Sequence, residues 1–202
     1  MERITPDNCA LLIVDHQVGL YTGVRDMPIE TLKHNVIGLA KGAKVMDIPI
    51  VAATTGADFL WGPMIPELLE VIDGTEIIDR NALNAWDEPR VVKAVEATKR
   101  KNLIVAGLSL GLCAVLPALS ALRAGYQSYV PIDACGTFDS QKREAGVARL
   151  VQSDAVVSDV FSLMCEIMAD NAAPFAQEVY EAVDPPFGTL MGQVAAGLNR
   201  AK

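Results

Sequence analysis

The segment from Asn102 to Gly125 reads NLIVAGLSLGLCAVLPALSALRAG and has no charged residue between positions 103 and 122. An apolar run of that length matches a membrane span. It also contains two glycines, two serines and Pro117, and it divides into an apolar run at 103–106, a turn and a helix that opens near Cys113. We therefore predict a buried strand, a turn and a helix, which requires a parallel sheet covered on both faces.

Short apolar runs alternate with amphipathic segments along the rest of the chain. Strands are predicted at 9–14, 49–53, 75–78, 103–106, 126–132 and 155–157, and helices at 31–46, 88–101, from about 112, at 140–152 and at 161–170. This alternation predicts an α/β fold, a three-layer α/β/α sandwich with a mostly parallel six-stranded sheet. The length fits one domain over 1–202, and the helices from about residue 174 are candidates for packing on a neighbouring subunit.

The amino-acid composition limits which partners and which cellular compartment are expected. A net charge of −8, from 17 basic and 25 acidic residues, argues against nucleic acid and against an anionic membrane surface. An apolar fraction of 51% predicts apolar surface buried between subunits, and hence a homo-oligomer. The N-terminal stretch lacks a secretory apolar core, and the four cysteines show no CxxC spacing, so we expect reduced thiols in the cytoplasm.

Three reactive side chains follow predicted strands. Asp15 follows the first strand, Arg80 the third and Cys113 the fourth. Because the carboxyl ends of parallel strands meet at one edge of a sheet, we expect an acid, a fixed cation and a thiol to converge there. A thiol at a helix N-terminus favours its thiolate form, and the adjacent N–H groups can hold an oxyanion. Two alternatives stay open, an Asp15–Arg80 ion pair without catalysis and a purely structural Cys113.

Motifs for cofactors are missing from the sequence. The first predicted strand is followed by DHQVGL rather than a GxGxxG motif, and the Gly107–Gly111 turn lacks the GK[ST] ending of a P-loop. Neither His16 nor His34 has zinc-ligand spacing to a cysteine. We therefore expect no cofactor and no metal, while a Cys–His dyad through His16 is possible by residue type.

Four segments together resemble one known family. CALLIVDHQ, RNALNAW, LIVAGLSLGLCAVLPALSALRAGY and PIDACGTFD look like the isochorismatase-like cysteine hydrolases, in particular their YcaC-like subgroup. The resemblance covers about residues 8–170. It implies a triad of Asp15 as base, Arg80 where most relatives carry lysine, and Cys113 as nucleophile toward a small amide. It also implies an oxyanion hole from the backbone of Leu112 and Cys113.

Further features follow from the same resemblance. A non-proline cis peptide, common in the turn before the cysteine of relatives, is expected at Ser109–Leu110. Leu110 stands where threonine is common, which removes a hydroxyl from the expected pocket wall. The Asp-x-His metal motif of the nicotinamidase branch is missing after the second strand, and relatives that cleave isochorismate lack the cysteine. Arginine stays charged and cannot shuttle protons, so Arg80 should act electrostatically.

The expected substrate wall consists of loop residues, namely Gln17, Thr55, Asn84 and Trp86. Asp133 is placed either to cap a turn or to touch substrate, and Cys135 follows close to the same strand end. Two rival functions remain at this point. One is phosphatase chemistry at Asp15 of the haloacid dehalogenase type, which lacks its usual second aspartate here. The other is an idle binding or scaffold protein on the same fold.

Overall fold

The computed structural model describes residues 3–185, 188, 192–194 and 196–197. In this part of the chain six strands form one parallel sheet with the order β3-β2-β1-β4-β5-β6. The strands are β1 (Cys9–Val14), β2 (Ile50–Thr55), β3 (Ile77–Arg80), β4 (Asn102–Gly107), β5 (Gln127–Pro131) and β6 (Val156–Ser158). The predicted fold class is confirmed, and the sheet is parallel along its whole width.

Helices cover both faces of the sheet. They are α1 (Val18–Tyr21), α2 (Ile29–Val45), α3 (Pro66–Val71), α4 (Pro89–Ala97), α5 (Val115–Arg123), α6 (Ser140–Gln152), α7 (Val160–Met168) and α8 (Ala176–Val183). The chain runs outward from β1 to β3 and then from β4 to β6, so right-handed crossovers put α2 and α4–α6 on opposite faces. Helices α7 and α8 pack on α2. The short helices α1 and α3 were not predicted.

The two central strands, β1 and β4, fix the place of the site. Every residue in both strands is buried, as expected for strands covered on both faces. Their register pairs Val14 with Gly107, so both strands end at the same level. The strand order reverses between β1 and β4, and open α/β sheets bind ligands outside the carboxyl ends at such a point.

Strands β2 and β3 end later than predicted. Their register pairs Thr55 with Arg80, so Asp79 and Arg80 belong to β3 rather than to the loop after it. Within β3 the side chain of Asp79 is exposed and that of Arg80 is buried, as the alternation of a strand requires. The extra residues carry the guanidinium group toward the end of β1.

The predicted C-terminal helices are described in part. Helix α8 packs on α2 of its own chain, where Gly38 and Gly42 leave room for Val183. The remainder of this prediction lies mostly outside the described residues. No helix among the described residues is long and apolar enough to cross a membrane.

Candidate active site

Asp15 and Arg80 form a buried ion pair at the carboxyl edge of the sheet. The Arg80 guanidinium donates to Asp15 Oδ2 at 2.6 Å, and the two side chains are 0% and 1% exposed. The same guanidinium donates to the carbonyl of Ala82, which fixes its plane. Asp15 has a φ of +58°, a left-handed conformation that aspartate tolerates better than most residues. Arg80 Nε has no hydrogen-bond partner among the described residues.

The turn after β4 brings Cys113 to this pair. Its cis peptide is Leu108–Ser109, one residue earlier than predicted, so the expectation of Ser109–Leu110 is wrong. The Ser109 carbonyl accepts hydrogen bonds from the N–H groups of Leu112 and Cys113, at 3.2 and 2.7 Å. Ser109 is thus the N-cap of a helical turn at Leu110–Ala114, and the peptide that follows it already belongs to that turn.

These two hydrogen bonds bear on the predicted oxyanion hole. The Leu112 and Cys113 N–H groups are both directed at the Ser109 carbonyl. A developing oxyanion at Cys113 would therefore have to share these donors with that carbonyl. The oxyanion role of the two groups stays a prediction.

The electrostatics differ from the expected preformed thiolate. Burial raises the pKa of Cys113 well above its ordinary value of 9.0, and the negative charge of Asp15 and a hydrogen bond to that carboxylate raise it further. Arg80 and the Ser109 backbone oppose the shift. Burial also raises the pKa of Asp15, against the opposing effects of Arg80 and the Cys113 thiol. Burial outweighs the opposing effects at Cys113, so the resting group there is a thiol, while the ion pair with Arg80 favours the carboxylate form of Asp15.

One cavity of about 140 Å³ opens onto all three side chains. Apolar residues make up most of its wall. The lining consists of Asp15, Leu20, Thr55, Trp61, Arg80, Leu83, Leu108, Ser109, Leu112, Cys113 and Phe138. The structure therefore brings the three predicted reactive residues together in a small, largely apolar chamber.

Of the four predicted substrate residues, Thr55 lines the cavity. Gln17 is fully buried, and its amide is engaged with Thr55 N–H, Thr55 carbonyl and Gly62 carbonyl, so it anchors the loop before α3. Asn84 caps the turn at Trp86 and donates to Ser120 Oγ. Neither Gln17, Asn84 nor Trp86 is part of the cavity lining.

Other candidates have structural positions. His16 is buried and its Nδ1 lies 2.8 Å from Tyr21 Oη, and burial lowers its pKa to about 3, so nothing supports a dyad with Cys113. Asp133 accepts from the N–H of Val160 and thereby caps the start of α7. Cys135 is buried, with its Sγ 3.4 Å from the Gly107 nitrogen.

Two further expectations concern Leu110 and metal ions. Leu110 is fully buried, contacts the backbone near Gly146 of α6 and does not line the cavity, so the hydroxyl missing at this position was not lost from the pocket wall.

Among the described residues, no group of three or more histidine, cysteine or acidic side chains is arranged to hold a metal ion.

The residues that sequence reasoning missed are mainly the apolar walls. Trp61 belongs to a Gly/Pro-punctuated loop with two aromatics, a composition typical of a binding loop. Phe138 has no such signal. Its loop is held by Asp26, which accepts from Thr137 N–H at 2.7 Å and from the Arg143 guanidinium at 2.8 Å. Contacts between residues so far apart in sequence have no local signature.

Comparison with known proteins identifies the family to which the chain belongs. A family model described as the isochorismatase domain matches residues 9–161. The chain belongs to the isochorismatase-like hydrolase family. Asp15, Arg80 and Cys113 all lie inside the matched range.

Relatives within this isochorismatase-like family are similar over nearly the whole chain. The chain is 38% identical over 169 residues to the protein named Probable hydrolase YcaC of Escherichia coli (strain K12), covering 83% of this chain and 81% of that one. The crystal structure of E. coli YcaC, described as an octameric hydrolase of unknown specificity, matches with a TM-score of 0.91 at 34% identity, covering 97% and 98%. YcaC from Pseudomonas aeruginosa, solved with hexane-2,5-diol and covalent acrylamide, matches with a TM-score of 0.90 at 36% identity, covering 96% and 98%. The chain thus falls in the YcaC-like subgroup.

Proposed function

We propose that the protein hydrolyses the C–N bond of a small amide-like substrate through a thioester on Cys113. The observation that carries this proposal is the convergence of a buried thiol, a carboxylate and a fixed cation on one small cavity. A nucleophile, a base and a compensating charge are the groups that acyl transfer at a thiol requires.

The resting protonation state defines the order of steps. Asp15 accepts the Cys113 proton as the thiolate attacks the carbonyl carbon, and the carbonyl electron pair moves to oxygen. When the C–N bond breaks, protonated Asp15 returns that proton to the departing amine, which leaves a thioester. Asp15 then takes a proton from water, the resulting hydroxide attacks the thioester, and the thiol leaves reprotonated. Arg80 keeps its charge throughout and stabilises the Asp15 carboxylate.

The relatives support this chemistry at a coarser level. E. coli YcaC is named a probable hydrolase, and its structure is described as octameric and of unknown specificity. The P. aeruginosa structure contains covalent acrylamide, a small amide that is also an electrophile. By analogy we infer that this chain also assembles as a homo-oligomer. Four cysteines without disulfides fit a reducing compartment such as the cytoplasm.

One observation favours the alternative of an idle site. The raised pKa of Cys113 means that the thiol lacks nucleophilic character until a proton is removed. If Asp15 did not accept that proton, the cavity would only bind small molecules. The test must therefore detect acyl transfer to Cys113 directly.

The test is acylation of the thiol and release of product. The protein would be incubated with p-nitrophenyl acetate and with a panel of small aliphatic amides, followed by peptide mass spectrometry and an ammonia assay. We expect acetylation at Cys113, turnover of at least one amide and loss of both in Cys113→Ala. Cys165→Ala is the matched control, because this partly buried thiol lies on α7 and outside the cavity.

The outcomes separate the two functions. Acylation confined to Cys113, together with ammonia release, supports the hydrolase. A folded protein whose Cys113 is never acylated contradicts the hydrolase and favours the binding protein.

A further inference from the structure

A second cavity adjoins the catalytic one. It has a volume of about 380 Å³ and shares Ser109, Leu112 and Phe138 with the catalytic cavity. We call it the α6 groove, because Lys142, Ala145, Gly146 and Arg149 of that helix form its other side. Leu112 and Phe138 are 47% and 36% exposed, so the wall between the two cavities consists of exposed side chains.

Size argues that the two chambers serve one ligand. Typical ligand sites measure about 300–1,000 Å³, and the catalytic cavity with about 140 Å³ holds little more than an amide and a few carbons. A substrate large enough to be recognised specifically must extend beyond that chamber. The α6 groove begins at Ser109 and Leu112, which also line the catalytic cavity beside Cys113.

The helix is shaped to form this groove. Positions 142, 145, 146 and 149 lie on one face of α6, at helical spacing. A side chain at Gly146 would come within 3.2 Å of the Leu110 side chain, so the glycine lets α6 approach the active-site turn closely. Ala145 is small and exposed, which leaves open space between the two cationic residues.

Charge gives the groove its chemistry. In a chain of net charge −8, its charged lining residues are Lys142 and Arg149, two helical turns or roughly 10 Å apart along the helix axis. Lys142 is paired with Asp139 at the helix start, which offsets its charge. Arg149 forms no salt bridge with any acidic residue in the described part of the chain. Glu144 lies about 200° around the helix from Lys142, on the opposite face.

We propose that the α6 groove is the second half of the substrate site and binds a carboxylate, chiefly through Arg149. The substrate is then a small amide with a carboxylate a short carbon chain away from the scissile C–N bond. This inference rests on the proposed function for the reaction, although the binding it describes can be measured without turnover.

The test compares monoamide carboxylates with their neutral diamides. Succinamate, glutaramate and adipamate would be titrated calorimetrically into the Cys113→Ala protein, beside succinamide, glutaramide and adipamide. We expect at least one carboxylate to bind roughly fivefold tighter than its diamide, as for a partly exposed ion pair, with the preference shrinking at high salt. Arg149→Gln should reduce the preference to about unity, by weakening the binding of the carboxylates far more than that of the diamides.

Arg123→Gln is the matched control, since it removes one exposed arginine at the end of α5, outside both cavities. Equal binding of carboxylates and diamides, or the same loss in Arg123→Gln, would overturn the inference. Acetate binding as tightly as glutaramate would also overturn it, because the groove would then be a site for free anions. If the protein shows an Arg149-dependent preference for carboxylates but hydrolyses no amide, the proposed hydrolase function is contradicted while carboxylate binding in the α6 groove is supported. If the protein hydrolyses amides but shows no preference for carboxylates over diamides, the hydrolase function is supported and the carboxylate site is contradicted.

Discussion

At the scale of single residues, Asp15 and Cys113 share a site so well shielded from solvent that burial disfavours a negative charge on either group. Burial raises the pKa of both groups, and each group affects the other through charge and hydrogen bonding. Arg80 compensates one charge, and the buried 2.6 Å contact assigns that compensation to Asp15. In the proposed mechanism, the thiol keeps its proton until a substrate makes transfer of that proton to Asp15 favourable.

We predict that Asp15→Asn lowers the pKa of Cys113 and strongly reduces the rate of hydrolysis. The substitution removes the negative charge and the carboxylate acceptor that raise this pKa, while Arg80, which lowers it, remains. More thiolate should therefore form at a given alkaline pH than in the unmodified protein, visible as thiolate absorbance in a pH titration. Amide hydrolysis should nevertheless fall by roughly 10²- to 10⁴-fold, because the general base is gone.

The signal is assigned by repeating the titration in Asp15→Asn/Cys113→Ala. Burial raises the pKa of Cys9 and of Cys135 to about 12, so these thiols stay silent in the same range. A Cys113 pKa that is unchanged or higher in Asp15→Asn would contradict the charge coupling described above.

The sequence predicts which residues meet at the site better than it predicts their protonation states. Asp15, Arg80 and Cys113 were predicted to meet because each follows or ends a strand of one parallel sheet, and strand ends meet by construction. The thiolate expectation was wrong because desolvation depends on the packing of distant segments, including the loops of Trp61 and Phe138. Gln17 was misplaced for a related reason, since its loop-anchoring hydrogen bonds join residues far apart in sequence.

At the scale of elements, the turn from β4 into α5 is held by a close approach of backbone to backbone. A Cβ at Gly107 would lie 2.5 Å from the backbone C and O atoms of Cys113, a distance that no side-chain movement can relieve. A Cβ at Gly111, in the same turn, would meet no atom within 4 Å among the described residues. The two glycines therefore provide a matched pair.

We predict that Gly107→Ala lowers the free energy of unfolding by about 3 kcal/mol and that Gly111→Ala changes it by less than about 1 kcal/mol. Gly107→Ala must push the Cys113 backbone away from β4, so acetylation of Cys113 should fall as well. Chemical denaturation at one fixed protomer concentration measures the stabilities, since assembly adds to apparent stability. Equal effects of both substitutions would show that the close approach at Gly107 is not the constraint.

Elements were predictable where their patterns were long. Helix α6 begins and ends at the predicted residues, and β1 does so as well. The short helices α1 and α3 have too few residues for a periodic signal. The ends of β2 and β3 were set by pairing between the two strands, which extends past their apolar cores.

At the scale of the whole molecule, large exposed apolar side chains lie in the two loops whose residues Trp61 and Leu83 line the cavity at Cys113. Phe59 is 88% exposed, Leu60 60% and Leu83 71%, and Leu83 and the neighbouring Trp61 line the cavity itself. Apolar surface of this kind is typical of an interface. In the homo-oligomer proposed above, a second copy of the chain would bury this surface.

We predict that Phe59→Ser/Leu60→Ser weakens self-assembly, because it removes the apolar surface that contact with another copy would bury. Analytical ultracentrifugation over a dilution series should show smaller species than for the unmodified protein. Val151→Ser is the control, since Val151 is also 60% exposed but lies on α6 outside the cavity lining. If both variants sediment like the unmodified chain, the subunit contact lies elsewhere. If the loop variant dissociates while Val151→Ser does not, the wall of the catalytic cavity borders the interface, and assembly and the shape of the site are coupled.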